Sequence, residues 1–243
     1  MRDKQRTDVD IRPWSEGDFS LLERLMGDPA MTYHLGGPEI PAKIRERHER
    51  YCMIGASGTG RVFVILVGPD GLPAGWIGYW ETEWREQHIW ETGWGVLPEL
   101  QSQGIATRAT AAMLELVRAE KKHRYLHAFP SVDNGPSNAV CRKAGFTLLG
   151  EVDIDYPPGN FKLSNDWRLD LFDDSLETTP RNKEAGGEET RTLAHTSGFH
   201  DQLCQGVRKK TIPKQFTCGD VTTRSGRKEI WSKPWILWLN LRC

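Results

Sequence analysis

Residues 94 to 107 read Trp-Gly-Val-Leu-Pro-Glu-Leu-Gln-Ser-Gln-Gly-Ile-Ala-Thr, and no other stretch restricts the fold as strongly. The β-prone start breaks at Pro98, which cannot donate to a strand ladder. A glycine-containing turn follows, and then Ile105, Ala109, Ala112, Met113, Leu116 and Val117 recur at helical spacing. A strand that feeds a helix through such a turn belongs to an α/β layer architecture. It also leaves several backbone N–H groups without partners, aimed outward at the positive end of the helix dipole. That arrangement suits phosphate. Gly104 permits close backbone approach, and Ala106 keeps the mouth of the site narrow in side-chain bulk. From physics alone, the segment binds a phosphorylated ligand.

The flanking sequence supplies an order of elements. Val9–Arg12 alternates and stops at Pro13, which predicts a first strand. Ser15 and Asp18 predict the start of a helix bearing Phe19, Leu22, Leu25 and Met26, with Asp28-Pro29 as its stop. A loop with Gly36, Gly37 and Pro38 leads to a second helix from Pro41, with Ile40, Ile44, His48, Tyr51 and Cys52 along it. Strands are predicted over 61–67 and 74–84, joined by the turn Gly68-Pro69-Asp70-Gly71, and over 88–97. After the helix from Ile105 come a short strand at 124–129, a helix from about Pro136 to Gly145, and two strands at 146–154 and 167–172. The order is β-α-α-β-β-β-α-β-α-β-β.

Two motifs within this order carry a resemblance. Gln101-x-x-Gly104-x-Ala106 resembles the Arg/Gln-x-x-Gly-x-Gly/Ala signature of the GNAT superfamily of acyl-CoA-dependent N-acyltransferases. Asn134-x-x-Ser137-Asn138-x-x-Cys141-x-x-x-Gly145-Phe146 resembles the family's Asn-x-x-Ser/Ala…Gly-Phe segment. Asn165-Asp166-Trp167-Arg168-Leu169 adds to a texture similar to the RimJ/RimL-like branch. The resemblance covers residues 9–172 and implies a GNAT fold: a mixed, mostly antiparallel sheet of six to seven strands with about four helices, splayed at an acetyl-CoA site.

The resemblance also implies roles. The loop from Gln101 through Ser102, Gln103, Gly104, Ile105, Ala106 and Thr107 holds the pyrophosphate of coenzyme A. The pantetheine arm slots between the strand ending at Val96 and Leu97 and the strand at 125–129. A backbone N–H near Val96 faces the thioester carbonyl. Glu91, on the strand leading to the loop, is the candidate general base, ahead of Glu81, Glu83 and Glu99, which also suit a solvated surface. Many members carry a tyrosine acid where this chain has Cys141; the RimJ/RimL-like branch relies instead on the Asn-x-x-Ser segment, here Asn134 and Ser137, with Asn134 and Asn138 also contacting the coenzyme. His34 lies where members shape the acceptor pocket and is a candidate substrate contact, although a loop-structuring role is the preferred account of it. Sheet-face packing is the default reading of Trp76, Trp80, Trp84, Trp90 and Trp94, which mostly share one parity along their strands. The implied co-substrate is acetyl-CoA and the implied acceptor a primary amine, on a protein N-terminus or a small molecule. Rivals are an aminoglycoside-type antibiotic acetyltransferase and a non-catalytic acyl-CoA-binding module. A homodimer is also compatible with the family.

Charge divides the chain. Residues 1–174 carry 20 basic against 26 acidic side chains, whereas 175–243 carry 12 against 7. The second piece opens with a polar, glycine-containing run, 178–189, that reads as a linker. Beyond it apolar residues lack a steady period until Ile230-Trp231 and 235–239, so 175–243 is expected to be a weakly structured extension of the domain 1–174. His195, His200, Cys204 and Cys218 match no zinc spacing, and no metal is expected. Arg208-Lys209-Lys210 lacks interleaved aromatics, so nucleic acid is not an expected partner. The charged N-terminus, the absence of a membrane-length apolar run and five irregularly spaced cysteines suit a cytoplasmic protein.

Overall fold

A computed structural model of the chain describes residues 8–156, 159, 161–173 and, as backbone, 231–232. The strands are β1 (Val9–Pro13), β2 (Gly60–Val67), β3 (Leu72–Trp84), β4 (Gln87–Val96), β5 (Tyr125–Ala128), β6 (Thr147–Asp155), β7 (Phe161–Asp170) and the two-residue β8 (Trp231–Ser232). The helices are α1 (Phe19–Met26), α2 (Pro29–Thr32), α3 (Pro41–Ser57), α4 (Ile105–Glu120) and α5 (Gly135–Lys143). One sheet holds the strands in the order β1-β2-β3-β4-β5-β7-β6-β8. Pairing is antiparallel except at β4–β5 and β6–β8. This is the mixed, mostly antiparallel α/β architecture that the sequence implies. Apart from Trp231–Ser232, the linker and extension at 175–243 lie outside the described residues. No helix among the described residues is long and apolar enough to cross a membrane.

Each face of the sheet is covered because its helices are amphipathic. Leu22, Leu25 and Met26 of α1 and Ile44, Tyr51 and Ile54 of α3 pack with Val62, Val64 and Trp76 on one face. Ile105, Ala109, Met113 and Val117 of α4 and Cys141 of α5 pack with Ile65, Ile77, Tyr79 and Trp90 on the other. Burying apolar area at ~25 cal/mol per Å² is what holds these layers together. Entry to α1 is fixed by Asp18, which accepts from the Ser15 backbone N–H (2.8 Å) and from both Arg12 guanidinium nitrogens (2.8 and 2.6 Å).

Three expectations need correction. Asp28-Pro29 does not simply stop a helix: the Asp28 carboxylate accepts from the Ala30 and Met31 amides and starts α2. β7 begins at Phe161, six residues before the expected Trp167. Its buried positions there are polar, Ser164 and Asp166, while Phe161 and Leu163 are exposed, so the usual alternation is inverted. The tryptophans do not share a face. Register pairs Trp76 with Gly95 and Trp80 with Glu91, so even-numbered β3 residues lie with odd-numbered β4 residues. Trp76 and Trp80 therefore face α1 and α3, whereas Trp90 and Trp94 face α4.

Candidate active site

The glycine-containing turn into α4 forms as its sequence predicts. Gly104 adopts φ +72° as the N-cap of α4, a conformation that penalises any residue with a Cβ. The first helical bond is from the Arg108 amide to the Gly104 carbonyl, 3.2 Å. The amides of Ile105, Ala106 and Thr107 therefore have no intrahelical acceptor and point out at the positive end of α4. Gln101 has a different task. Its amide donates to Pro98 O (3.3 Å) and its side chain to Val96 O (2.9 Å), so it shapes the loop rather than offering a free donor. The sequence reading overlooked Arg108. Its guanidinium donates to Gln103 O at 3.1 Å and arches beside Gly104, adding a full cationic charge to the loop. Its spacing, four residues after the helix N-cap, is the signal that was available.

Beside the loop the sheet parts. β4 and β5 pair only at Trp90–Leu126 and Glu91–His127, after which β4 runs on unpaired with β5. The Leu97 amide donates to Ala74 O at 2.8 Å, toward β3. Alternation along an antiparallel strand then turns the backbone groups of Val96 and Trp94 the other way, into the gap. Val96 O is already taken by Gln101, but both N–H groups face the opening. Glu91 lies three residues from Trp94 and five from Val96, about 10 and 17 Å along the strand. The Trp94 amide is the nearer of the two to Glu91 along the strand.

Glu91 is buried, and Thr82 Oγ1 donates to its carboxylate at 3.2 Å. It lies on the α1–α3 face beside Trp80, its register partner. Gly93 and Gly95 continue that row, and the stacked indoles of Trp76 and Trp80 lie over them, 6.5 Å between centroids. The result is an aromatic wall running from Glu91 toward Leu97 and packed against Tyr51 of α3.

The second motif builds the start of α5. Asn134 Oδ1 accepts from the Ser137 amide at 3.1 Å as the N-cap. Ser137 sits in the first turn, half-buried, and its hydroxyl makes no hydrogen bond among the described residues. Asn138 is buried and fully used. It donates to Ser131 O and Asn134 O (2.9 and 2.8 Å) and accepts from Asn165 Nδ2 and Trp167 Nε1 (2.7 and 2.8 Å). That makes Asn138 a strut between α5 and β7 rather than a ligand contact. His34 is brought to this motif: its Nδ1 is 3.4 Å from Asp133 Oδ1, and its carbonyl accepts from Lys162. The Ser131 hydroxyl holds the Asp133 carboxyl below the usual carboxylate range, despite some desolvation and with help from nearby His34 and Lys162.

Neither described cysteine is a nucleophile. Burial pushes the Cys141 thiol up to about 12. Cys52 shares a shallow groove of about 370 Å³ with Glu16, His48, Glu49 and Met53. His48 Nδ1 accepts from Trp14 Nε1 (3.2 Å), so its proton is on Nε2, which faces Cys52 Sγ at 3.7 Å and cannot act as its base. Burial, Glu16 and Asp18 all raise the Cys52 thiol further. Among the described residues no three His, Cys, Asp or Glu side chains are grouped to hold a metal.

Comparison with known proteins places the fold. No curated protein sequence matches the chain. Among solved structures, the aminoglycoside acetyltransferase AAC(6')-Ib in complex with coenzyme A aligns at TM-score 0.56 and 17% identity, over 67% of this chain and 95% of that one. An acetyltransferase from Salmonella typhimurium that modifies the N-terminal serine of ribosomal protein L7/L12 aligns at TM-score 0.56 and 20% identity, over 67% and 94%. Spermidine N-acetyltransferase from Vibrio cholerae, with CoA and spermine, aligns at TM-score 0.56 and 15% identity, over 67% and 95%. At these identities the likeness is one of fold. The model of the acetyltransferase (GNAT) domain family matches residues 8–147, more than half of the chain, and the protein belongs to the GNAT family.

Proposed function

We propose that the chain is an acetyl-CoA-dependent N-acetyltransferase of the RimJ/RimL-like kind, working on a primary amine in a ternary complex. The observation that carries this reading is the buried Glu91 on the face of β4 just before the sheet parts, upstream of the free amides of α4. The pyrophosphate sits on the amides of Ile105, Ala106 and Thr107, with Arg108 beside it, and the pantetheine arm enters the gap between β4 and β5. The amine nitrogen attacks the thioester carbonyl carbon while Glu91, directly or through one water, takes the proton that the nitrogen loses. Oxyanion charge develops against the Trp94 amide. The C–S bond then breaks and the CoA thiolate leaves. Thiols titrate near 8.5, so no acid is required at the place where Cys141 replaces the family's tyrosine.

The acceptors named for the three structural neighbours, an aminoglycoside, an N-terminal serine and spermidine, share a primary amine. Deprotonating an α-amino group near pH 7 costs about 1 kcal/mol and a lysine-like amine about 4–5 kcal/mol, so the base matters more for the second class. Thiol release from acetyl-CoA against N-terminal peptides, polyamines, amino acids and aminoglycosides tests the reading and names the acceptor. Glu91→Gln is expected to lower kcat about 10²- to 10⁴-fold while acetyl-CoA binding is retained. Acetyl-CoA binding with no turnover on any amine would favour the binding-module reading instead.

A further inference from the structure

The inverted alternation at the start of β7 leaves apolar side chains on the outside. Register sets Val152 opposite Ser164 and Ile154 opposite Lys162, and Ile154 and Ser164 are buried. The residues between them, Glu151, Asp153 and Asp155 on β6 and Phe161 and Leu163 on β7, therefore share the opposite face. α5 covers that face farther along, where Arg142 lies over the Trp167 ring at 5.8 Å. Phe161 is 54% exposed and Leu163 38%, and Val132, whose amide donates to Leu163 O at 3.1 Å, is 36% exposed. Three neighbouring apolar side chains beside a row of carboxylates suit a partner that is both apolar and basic.

The chain's own end starts beside this face. β8 pairs with the outer edge of β6 in parallel, Trp231 with Ile154 and Ser232 with Asp155. A parallel strand points out of the sheet where β6 itself leaves it, and Asp155 is the register partner of Phe161. Ser232 is thus two interstrand spacings, ~10 Å, from Phe161. The eleven residues that remain, 233–243, begin Lys233-Pro234 and continue Trp235-Ile236-Leu237-Trp238-Leu239. Proline cannot donate to a ladder, which suits a turn out of the sheet at that point. Three or four extended residues, at ~3.3 Å each, span the distance to Phe161 and Leu163. Lys233 and Arg242 bracket the apolar run, and 175–243 as a whole carry 12 basic against 7 acidic side chains. We infer that residues 233–243 dock on the outer face of the β6–β7 hairpin, the apolar run on Phe161, Leu163 and Val132 and the basic residues toward Glu151, Asp153 and Asp155. The docking depends neither on Glu91 nor on the identity of the amine. It gives the alternation of β7 a reason: Phe161 and Leu163 are the inner layer of a contact that the hairpin alone does not complete.

Hydrogen exchange read by mass spectrometry on the full chain tests this. Peptides from 233–243 should exchange about tenfold or more slowly than an unstructured segment, and Leu163→Asp should abolish that protection. Trp235→Asp combined with Leu237→Asp should lower Tm by about 4–8 °C. Adding Leu163→Asp should then lower it no further, because each change removes the same contact. Losses that add, or protection that survives Leu163→Asp, overturn the docking. So does a parent that light scattering shows as a dimer and Leu163→Asp as a monomer, since the face then belongs to a second copy. Faster thiol release from the Trp235→Asp/Leu237→Asp chain at unchanged Tm would put the segment on the α3 face and overturns it as well. Should Leu163→Asp fail to fold, an unchanged Tm in the Trp235→Asp/Leu237→Asp chain overturns the docking without it.

Discussion

Gly95→Ala probes the aromatic wall most directly. A Cβ at 95 lies 2.8 Å from Trp76 Nε1, 3.2 Å from its Cδ1 and 3.5 Å from Met31 Cε. The indole cannot retreat: Trp76 is 7% exposed, with Tyr51 at 5.4 Å and Trp80 at 6.5 Å between ring centroids. Overpacking of this kind costs about 1–3 kcal/mol, and a rigid, enclosed ring puts Gly95→Ala in the upper half of that range. At about 2–4 °C per kcal/mol for a domain of this size, Tm should fall by about 4–12 °C. At Gly93 the nearest atom is Trp80 Cη2 at 3.0 Å, on a half-buried ring that can swing outward, so Gly93→Ala should cost ~1 kcal/mol. Trp76→Phe removes the offending atoms, and since Trp76 Nε1 has no hydrogen-bond partner among the described residues, no polar contact is lost with it. The cycle between Gly95→Ala and Trp76→Phe should then show a coupling of about 1–2 kcal/mol. Urea unfolding at constant m reads all five proteins, the parent included. Equal costs at 93 and 95, or a cycle that closes without coupling, would refute the claim that the glycines exist to seat the indoles.

Asn138→Ala strands the Asn165 and Trp167 donors and should cost about 2–4 kcal/mol in urea unfolding, with KM for acetyl-CoA unmoved. Arg108→Ala should raise that KM about two- to tenfold and flatten its dependence on salt, measured by initial rates at two ionic strengths. Burial alone would raise the Asp18 carboxyl, but its bonds to Arg12 and Ser15 outweigh this and hold it below its ordinary value. A carboxyl lower in the folded state adds stability above the unfolded value near 4 and loses it as pH falls through the folded value. Asp18→Asn should therefore be less stable than the parent by about 1–2 kcal/mol at neutral pH, with the two converging at lower pH in thermal melts.

The order of elements was legible in the sequence because each boundary carries its own local chemistry: Ser15 with Asp18, the turn at 68–71, Pro98, Gly104 and Gly145. The turn into α4 was legible for the same reason, since it is built from neighbours in the chain. What depends on register was not. Parity within one strand says nothing of the face until the partner's number is known, and pairing 76 with 95 sends Trp90 and Trp94 opposite to Trp76 and Trp80. The early half of β7 escaped because Ser164 and Asp166 are buried for their hydrogen-bonding neighbourhood and not for their hydropathy. His127 and Asp166 lie 39 residues apart, and only the strand order β5-β7 brings them together.

The two-rung seam between β4 and β5 also orders the events of synthesis. β1 to β4 pair only with sequence neighbours, so that ribbon, with α1 and α3, can form from local hairpins as it leaves the ribosome. β5 cannot find its antiparallel partner until β7 has been made, because β6 lies outside β7 in the sheet. Until then His127 keeps its water, and its burial is deferred to the last docking step, when Asp166 arrives in the same movement to receive the imidazole.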